Sequence, residues 1–292
     1  MFYDLNIQLP DSAGKPGGHI SSQDWAQIAQ ALEQARHFGY ETVALNQVVH
    51  GKLTPAHLKV WSTIPQLPFA HYTWEATTGN RLTSKPKRGQ LQVLRRLTNV
   101  LSEGAHGHAL TSNGNPSVLD YDLVAVRPEN EKILFAACNG SWDSVDIISL
   151  DMAVRWGFFA KHKTIGLALQ HQYALEISYG EALADSASRR QWVSNASSIV
   201  RVTKGRNVLW TSAASRPFGL RAPYDIVNLG GILQLNGDLS KRAMTSNARA
   251  AVMHGYTRRE TLRAVAAVEE AVEDMAEEEE AEPQRKKQKV AA

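Results

Sequence analysis

A chain of 292 residues with 43% apolar content is long enough for one large domain or two small ones around a substantial core. Its single cysteine, Cys138, excludes an intrachain disulfide and any cysteine-cluster zinc site, and no stretch approaches the ~20 apolar residues of a membrane-spanning helix. The formal charge of +3 hides an asymmetry: nine acids fall between Glu269 and Glu282, four cations follow at Arg285, Lys286, Lys287 and Lys289, and the remainder holds 28 basic against 20 acidic residues.

Met1-Phe2-Tyr3-Asp4 enters a strand pattern at once, so neither a secretory leader nor a membrane role is expected and the protein reads as intracellular. Residues 2–7 form a first strand. A helix follows over 21–38, opened by the cap Ser21, with Trp25, Ile28, Ala29 and Leu32 on one face and Gly39 at its end. Residues 41–46 make a second strand, and Thr54-Pro55 starts a short helix through Trp61. Five more strands are expected at 92–100, 121–126, 145–150, 174–178 and 207–212, with helices at 130–138, 154–161 and 188–202. The pattern is helical again from Leu239, with a second helix running from Arg258 into the acidic segment. Runs such as Leu123-Val124-Ala125-Val126 suit parallel strands covered on both faces. Strand and helix alternating without a Gly-x-Gly-x-x-Gly turn favour a TIM-like (β/α) barrel of about seven parallel strands over an open dinucleotide-binding sheet. The expected division is a barrel over 1–259 and, over 260–292, an acidic helical extension with a disordered basic tail.

Charge is distributed unevenly along this frame. No Asp or Glu occurs between Asp185 and Asp225, a window holding Arg189, Arg190, Arg201, Lys204, Arg206, Arg216 and Arg221. A second acid-free window, from Ala76 to Ser102, holds Arg81, Lys85, Lys87, Arg88, Arg95 and Arg96. Soluble surfaces intersperse both signs, so unopposed cations on folded segments point to a polyphosphate partner, nucleic acid first. Acids brought from elsewhere in the fold are the competing explanation. Residues 77–90 read as a basic loop able to lie on a phosphate backbone, and 102–117 as a flexible glycine-rich insertion. His106-Gly107-His108 inside it is a weak candidate for a metal pair.

Functional groups of a parallel barrel collect at the C-terminal strand ends. Those positions offer Asp4, Asn6, Gln8, Asn46, Arg127, Asp151, Glu176, Tyr179 and Ser212. The carboxylates could hold Mg²⁺ weakly, or be paired with arginines, the preferred reading. No histidine stands at the end of an expected strand.

Several stretches resemble a known family: Phe2-Tyr3-Asp4-Leu5-Asn6, Tyr121-Asp122-Leu123-Val124-Ala125-Val126-Arg127-Pro128, Val145-Asp146-Ile147-Ile148-Ser149-Leu150-Asp151, Leu175-Glu176-Ile177-Ser178-Tyr179 and Leu220-Arg221-Ala222-Pro223-Tyr224-Asp225-Ile226-Val227-Asn228-Leu229. Together they are similar to the thirty-kilodalton protein subunit of eukaryotic and archaeal ribonuclease P, shared in eukaryotes with ribonuclease MRP. The resemblance implies a barrel of the polymerase-and-histidinol-phosphatase (PHP) type. Active members of that superfamily carry Asp-Leu-His-x-His on the first strand. Here those positions are Asp4-Leu5-Asn6-Ile7-Gln8, and a late Asp-x-His falls near Ser212-Ala213-Ala214, so a retained fold with a lost metal site is implied and no cofactor.

The leading reading is therefore a non-catalytic RNA-binding subunit of ribonuclease P, in which the RNA carries the chemistry of 5′-leader removal from precursor tRNA. Expected RNA contacts are Arg81, Lys85, Lys87, Arg88, Arg95, Arg96, Arg201, Lys204, Arg206, Arg216 and Arg221. The resemblance implies as partners ribonuclease P RNA and MRP RNA, precursor tRNA indirectly, and other protein subunits including a small α/β protein. Ribosomal RNA processing would follow from MRP. The alternatives are a metal-dependent phosphoesterase of the same barrel class and a nuclear scaffold contacting only proteins. Arg285, Lys286, Lys287 and Lys289 after Pro283 read as a nuclear localisation signal, with the nucleolus implied by the family.

Overall fold

The computed structural model describes residues 1–62, 72–74, 90–111 and 114–260. Seven parallel strands follow one path, β1 (Tyr3–Gln8), β2 (Thr42–His50), β4 (Leu91–Leu101), β5 (Leu123–Pro128), β6 (Ile147–Ser149), β7 (Ala174–Ser178) and β8 (Val208–Thr211). A short β3 (Tyr72–Trp74) pairs with the start of β4 beside this path. The ends of the path meet: Ile7 bridges Ala214 in parallel, Gln8 N donates to Ala214 O at 2.9 Å, and Ser212 N donates to the Asp4 carboxylate at 3.1 Å. A register shift between Asp4 and Ile7 and a left-handed Ala213 (φ 50°) shape this seam. The result is a nearly closed barrel with helices outside, as the strand cadence predicts.

Helix starts are written in the sequence. Ser21 caps α1 (Ser22–His37) by accepting from Asp24 N, and Asn130 caps α3 (Glu131–Cys138) by accepting from Ile133 N. Asp185 caps α5 (Ser186–Thr203) by accepting from Ala187 N and Ser188 N. Between α1 and α3 lies the short α2 (Lys59–Ser62). The outward strand residues Leu45, Leu97, Val124, Ile148, Ile177 and Trp210 share one core with Leu32, Ile133, Ile165, Trp192 and Ile199 of the helices. A second cluster fills the N-terminal end of the barrel: Tyr3, Leu5, Ala44, Leu94, Leu123, Ala125, Ile147, Ala174 and Leu209. It is closed from below by Ala248, Ala251 and Val252 of α8 (Ser246–Glu260), while α7 (Gly237–Met244) packs beside β8.

Three local expectations need correction. Residues 154–161 are not helical; the helix after β6 is α4 (His162–Gln170). The carbonyls of Met152 and Val154 are taken by the buried Asn195 side chain at 3.1 and 2.8 Å, which fixes a loop instead of a turn of helix. Residues 104–110 are a 3₁₀ helix, not a loose insertion, and Gly107 is required there because a Cβ would stand 2.2 Å from the Trp142 ring. Arg258 lies within α8 and does not begin a new helix. Beyond these, α6 (Pro223–Leu229) is short: Ile226, Leu233 and Leu235 are buried, while Ile232 is 63% exposed.

Candidate nucleic-acid interface and barrel interior

Alternation along the strands sends one residue in two into the barrel. Above the apolar layer, that rule places Asn46, Arg96, Thr98, Ser149, Glu176 and Thr211 in one polar layer, and the register shift in β1 adds Asn6; all are buried. The Arg96 guanidinium grips Glu176 through two 2.6 Å bonds and also donates to Leu5 O at 2.8 Å and Thr98 Oγ1 at 3.2 Å. Asn6 and Thr211 donate to Glu176 at 3.0 and 2.8 Å. Asn46 donates to Asn6 at 2.7 Å, and Thr98 donates to Asn46 at 2.8 Å. Burial alone would raise the Glu176 carboxyl; Arg96 and these donors hold it down at about 2.

Arg96 was expected on the RNA face, and this expectation is corrected. The side chain is 0% exposed, and on a strand buried on both faces one of the neighbours Arg95 and Arg96 must face inward. Arg95 faces outward, half-buried, with its backbone N bound to Asp122 at 2.7 Å and its guanidinium 5.6 Å from the centroid of the Trp61 ring.

The three mouth carboxylates do not converge. Asp4 turns to the β1–β8 seam, where burial pushes it up to about 6 against the pull of Ser212 and Asn6 N–H groups, and its Oδ2 has no partner. Glu176 is committed to Arg96, and Asp151 accepts from Ala153 N at 3.0 Å. Glu181 sits with Arg127 at 3.9 Å and Ser178 at 3.0 Å, pushed by burial up to about 7. A metal ion does not fit this donor set: a cationic guanidinium lies on the carboxylate best placed to receive it. Among the described residues no group of three or more His, Cys, Asp and Glu side chains gathers as ligands, and His106 faces only Glu103 at 3.8 Å.

The later cations lie outside. Arg201 and Lys204, near the end of α5, line a groove of about 630 Å³ with Ile232, Leu235 and Leu239. Arg206 is exposed just beyond, its Nε 3.4 Å from Thr203 O. Arg216 and Arg221 belong to a separate segment after β8, where Arg221 donates to the carbonyls of Phe218 and Leu220 rather than to Asp225 or Asp151, and stacks 5.2 Å from the centroid of the Phe218 ring. Among the described residues no ion pair involves Arg201, Lys204, Arg206, Arg216 or Arg221. Acids from elsewhere in the fold therefore do not cancel them there. Arg81, Lys85, Lys87, Arg88 and the tail cations Arg285, Lys286, Lys287 and Lys289 lie outside the described residues.

The description of a known family fits this chain along nearly all the barrel: the family model for RNase P subunit p30 matches residues 1–260. The chain belongs to the RNase P subunit p30 family. The mouse "Ribonuclease P protein subunit p30" is 31% identical over 239 residues, covering 82% of this chain and 84% of that protein. A "Probable ribonuclease P protein subunit 3" of Schizosaccharomyces pombe is 26% identical over 265 residues, covering 91% and 98%. Among solved structures, a chain of an archaeal ribonuclease P with mature tRNA, seen by cryo-EM, superposes with a TM-score of 0.59 at 14% identity, covering 91% of this chain and 96% of its own. That likeness supports the barrel fold of the p30 chain.

One segment of the p30 barrel escaped the sequence reading. Between Asp151 and Glu176 lies a third stretch without Asp or Glu, carrying Arg155, Lys161, His162 and Lys163 around Trp156, Phe158 and Phe159. The same one-sign test that singled out the other two windows finds it, but an expected helix over 154–161 hid it.

Proposed function

We propose that this p30-family chain is a non-catalytic, RNA-binding assembly subunit of ribonuclease P, and of ribonuclease MRP, that supports 5′-leader removal from precursor tRNA and ribosomal RNA processing. The observation that carries the reading is the set of five cations, Arg201, Lys204, Arg206, Arg216 and Arg221, without an ion-pair partner among the described residues. Such groups neutralise phosphates and fix orientation with little sequence information, which suits a protein that holds a catalytic RNA in shape. Arg81, Lys85, Lys87 and Arg88 supply a second contact, and Arg95 adds to it from the outward face of β4. The non-catalytic half of the reading is supported by Arg96, whose guanidinium occupies the Glu176 carboxylate inside the barrel. Partners are ribonuclease P RNA, MRP RNA and further protein subunits, including a small α/β protein. The protein works in the nucleus and nucleolus, addressed there by Arg285, Lys286, Lys287 and Lys289.

Affinity purification of the tagged full chain tests the assembly: both RNAs and 5′-leader cleavage of precursor tRNA co-purify. Reversing Arg201, Lys204 and Arg206 to Glu lowers RNA retention and flattens its salt dependence by about one log–log unit per cation. Unchanged retention and slope would refute the RNA contact. Cleavage of precursor tRNA by the purified chain alone would refute the non-catalytic role. Lys286→Ala with Lys287→Ala, in a fusion of residues 283–292 to an inert carrier, abolishes nuclear entry; continued entry shows that the tail is not the signal.

A further inference from the structure

We propose that the segment from Val154 to Lys163, at the rim of the barrel mouth, is a stacking platform for unpaired RNA nucleotides, with Phe159 as the ring a base lies on. The inference rests on the RNA-binding reading and assigns it a second face and a substrate class, single-stranded rather than helical RNA.

The segment is rigidly held yet displays an aromatic ring to solvent. Asn195 takes the carbonyls of Met152 and Val154, Glu181 accepts from Met152 N, and Trp156 Nε1 donates to Asp151 O. Trp156 and Phe158 stack within 7° of parallel at 5.9 Å, and Phe158 is buried. Phe159, the next residue, is 84% exposed. A large apolar side chain on a fixed loop loses its hydrophobic contribution unless something covers it.

Charge tells what covers it. Arg155, His162 and Lys163 are exposed around the ring, while Lys161 is held by Glu131 at 2.6 Å. Asp151 and Glu181, which hold the start of the loop, are turned onto its backbone N–H groups. Lys161, His162 and Lys163 also sit at the start of α4, where no side chain caps the helix and the positive charge of the two lysines opposes the helix dipole. A helix start favours Asp or Glu; three basic residues there violate the local rule in the way functional sites do. An exposed ring on a segment with cations and no acid of its own matches the stacking-plus-phosphate chemistry of single-strand binders, since every base has a π-face and every linkage a charge.

The test measures binding of the full chain to a twelve-nucleotide oligouridine and to a blunt RNA duplex of twelve base pairs. Phe159→Ala is expected to weaken oligouridine binding about tenfold, leaving duplex binding, the salt slope and the thermal transition unchanged. Arg155→Ala with Lys163→Ala is expected to lower the single-strand salt slope by about 1.4, at ~0.7 per cation. Arg201→Glu with Lys204→Glu is run alongside. If that pair weakens RNA binding and Phe159→Ala does not, the platform is wrong while the RNA-binding reading stands. If the unaltered chain binds neither RNA, both fall. Loss of protein subunits from the purified complex of Phe159→Ala, with oligouridine affinity intact, makes the ring a protein contact and overturns the proposal.

Discussion

Arg96 and Glu176 are two residues whose types were visible in the sequence and whose partnership was not. Arg95-Arg96 reads as a basic dipeptide, but the alternation Leu94, Arg96, Thr98 belongs to the interior face and Val93, Arg95, Leu97 to the exterior. Pairing of mouth carboxylates with arginines was expected, and among the described residues it holds for Glu176 but not for Asp4 or Asp151, which accept from backbone N–H groups. That Arg96 would be the partner was concealed by the 80 residues separating it from Glu176. Removing one member leaves a buried charge without compensation, so Arg96→Met is expected to destabilise the fold by about 3–5 kcal/mol in urea unfolding. Adding Glu176→Gln recovers part of that loss because the charge itself is gone; an equal or larger loss in the double variant contradicts the pairing. Asp4 acts in the opposite sense. Its folded pKa of about 6 lies above the ordinary 3.8, so the stabilisation it gives is whole below 3.8 and is lost as pH rises through 6. That loss is about 3 kcal/mol, and Asp4→Asn removes it. Glu181 loses stabilisation with rising pH in the same way, up to about 7, but it contributes equally to both proteins. The stability difference between them, measured by urea unfolding from pH 4 to pH 7, therefore reports Asp4; a constant difference counts against the assignment.

At the scale of elements, capping chemistry and strand patterning were legible, whereas aromatic loops were not. Ser21 announced its helix because a short polar side chain before an apolar face has few other uses, and Asn130, expected as a first helical residue, proves to be a cap of the same kind. Residues 154–161 misled because Trp156, Phe158 and Phe159 supply apolar spacing without a cap, and Gly157 interrupts them. The deciding interaction is long-range: Asn195 on α5 reaches across to hold the loop carbonyls. Asn195→Ala is expected to cost about 1–3 kcal/mol, since two carbonyls lose their buried donor. The same variant raises amide hydrogen exchange across residues 152–161 while α5 itself stays protected. Exchange that rises uniformly over the molecule instead would mean that Asn195 supports the global fold and not this loop.

For the whole molecule, the barrel was foreseen from its cadence, but its floor was not. A period of apolar strands says that a barrel closes laterally and says nothing of what seals its end. The seal is α8, whose Ala248, Ala251 and Val252 cover Leu5, Leu94, Leu123 and Leu209. Small residues are required because the helix lies close against the strands: a Cβ on Gly255 would stand 2.2 Å from Asp122 O. The helix is also locked electrostatically. Asp146, fully buried, donates nothing and accepts from Val124 N at 2.8 Å, with Arg258 at 3.1 Å and His254 at 2.7 Å on its two oxygens. Burial would raise this carboxyl, yet Arg258 and His254 hold it below the ordinary range. Deleting everything after Thr245 therefore opens an apolar floor and leaves Asp146 buried without its cation, and such a chain is expected to lose cooperative unfolding altogether. Arg258→Met, which keeps the helix and its apolar face, separates the two contributions and is expected to cost about 3–5 kcal/mol. Deleting only residues 261–292 spares the floor and its lock, so the thermal transition should stay sharp and close to that of the full chain. A cooperative transition surviving in the chain cut after Thr245 would show that the barrel stands without its seal, and that α8 is an addition to the fold rather than part of it.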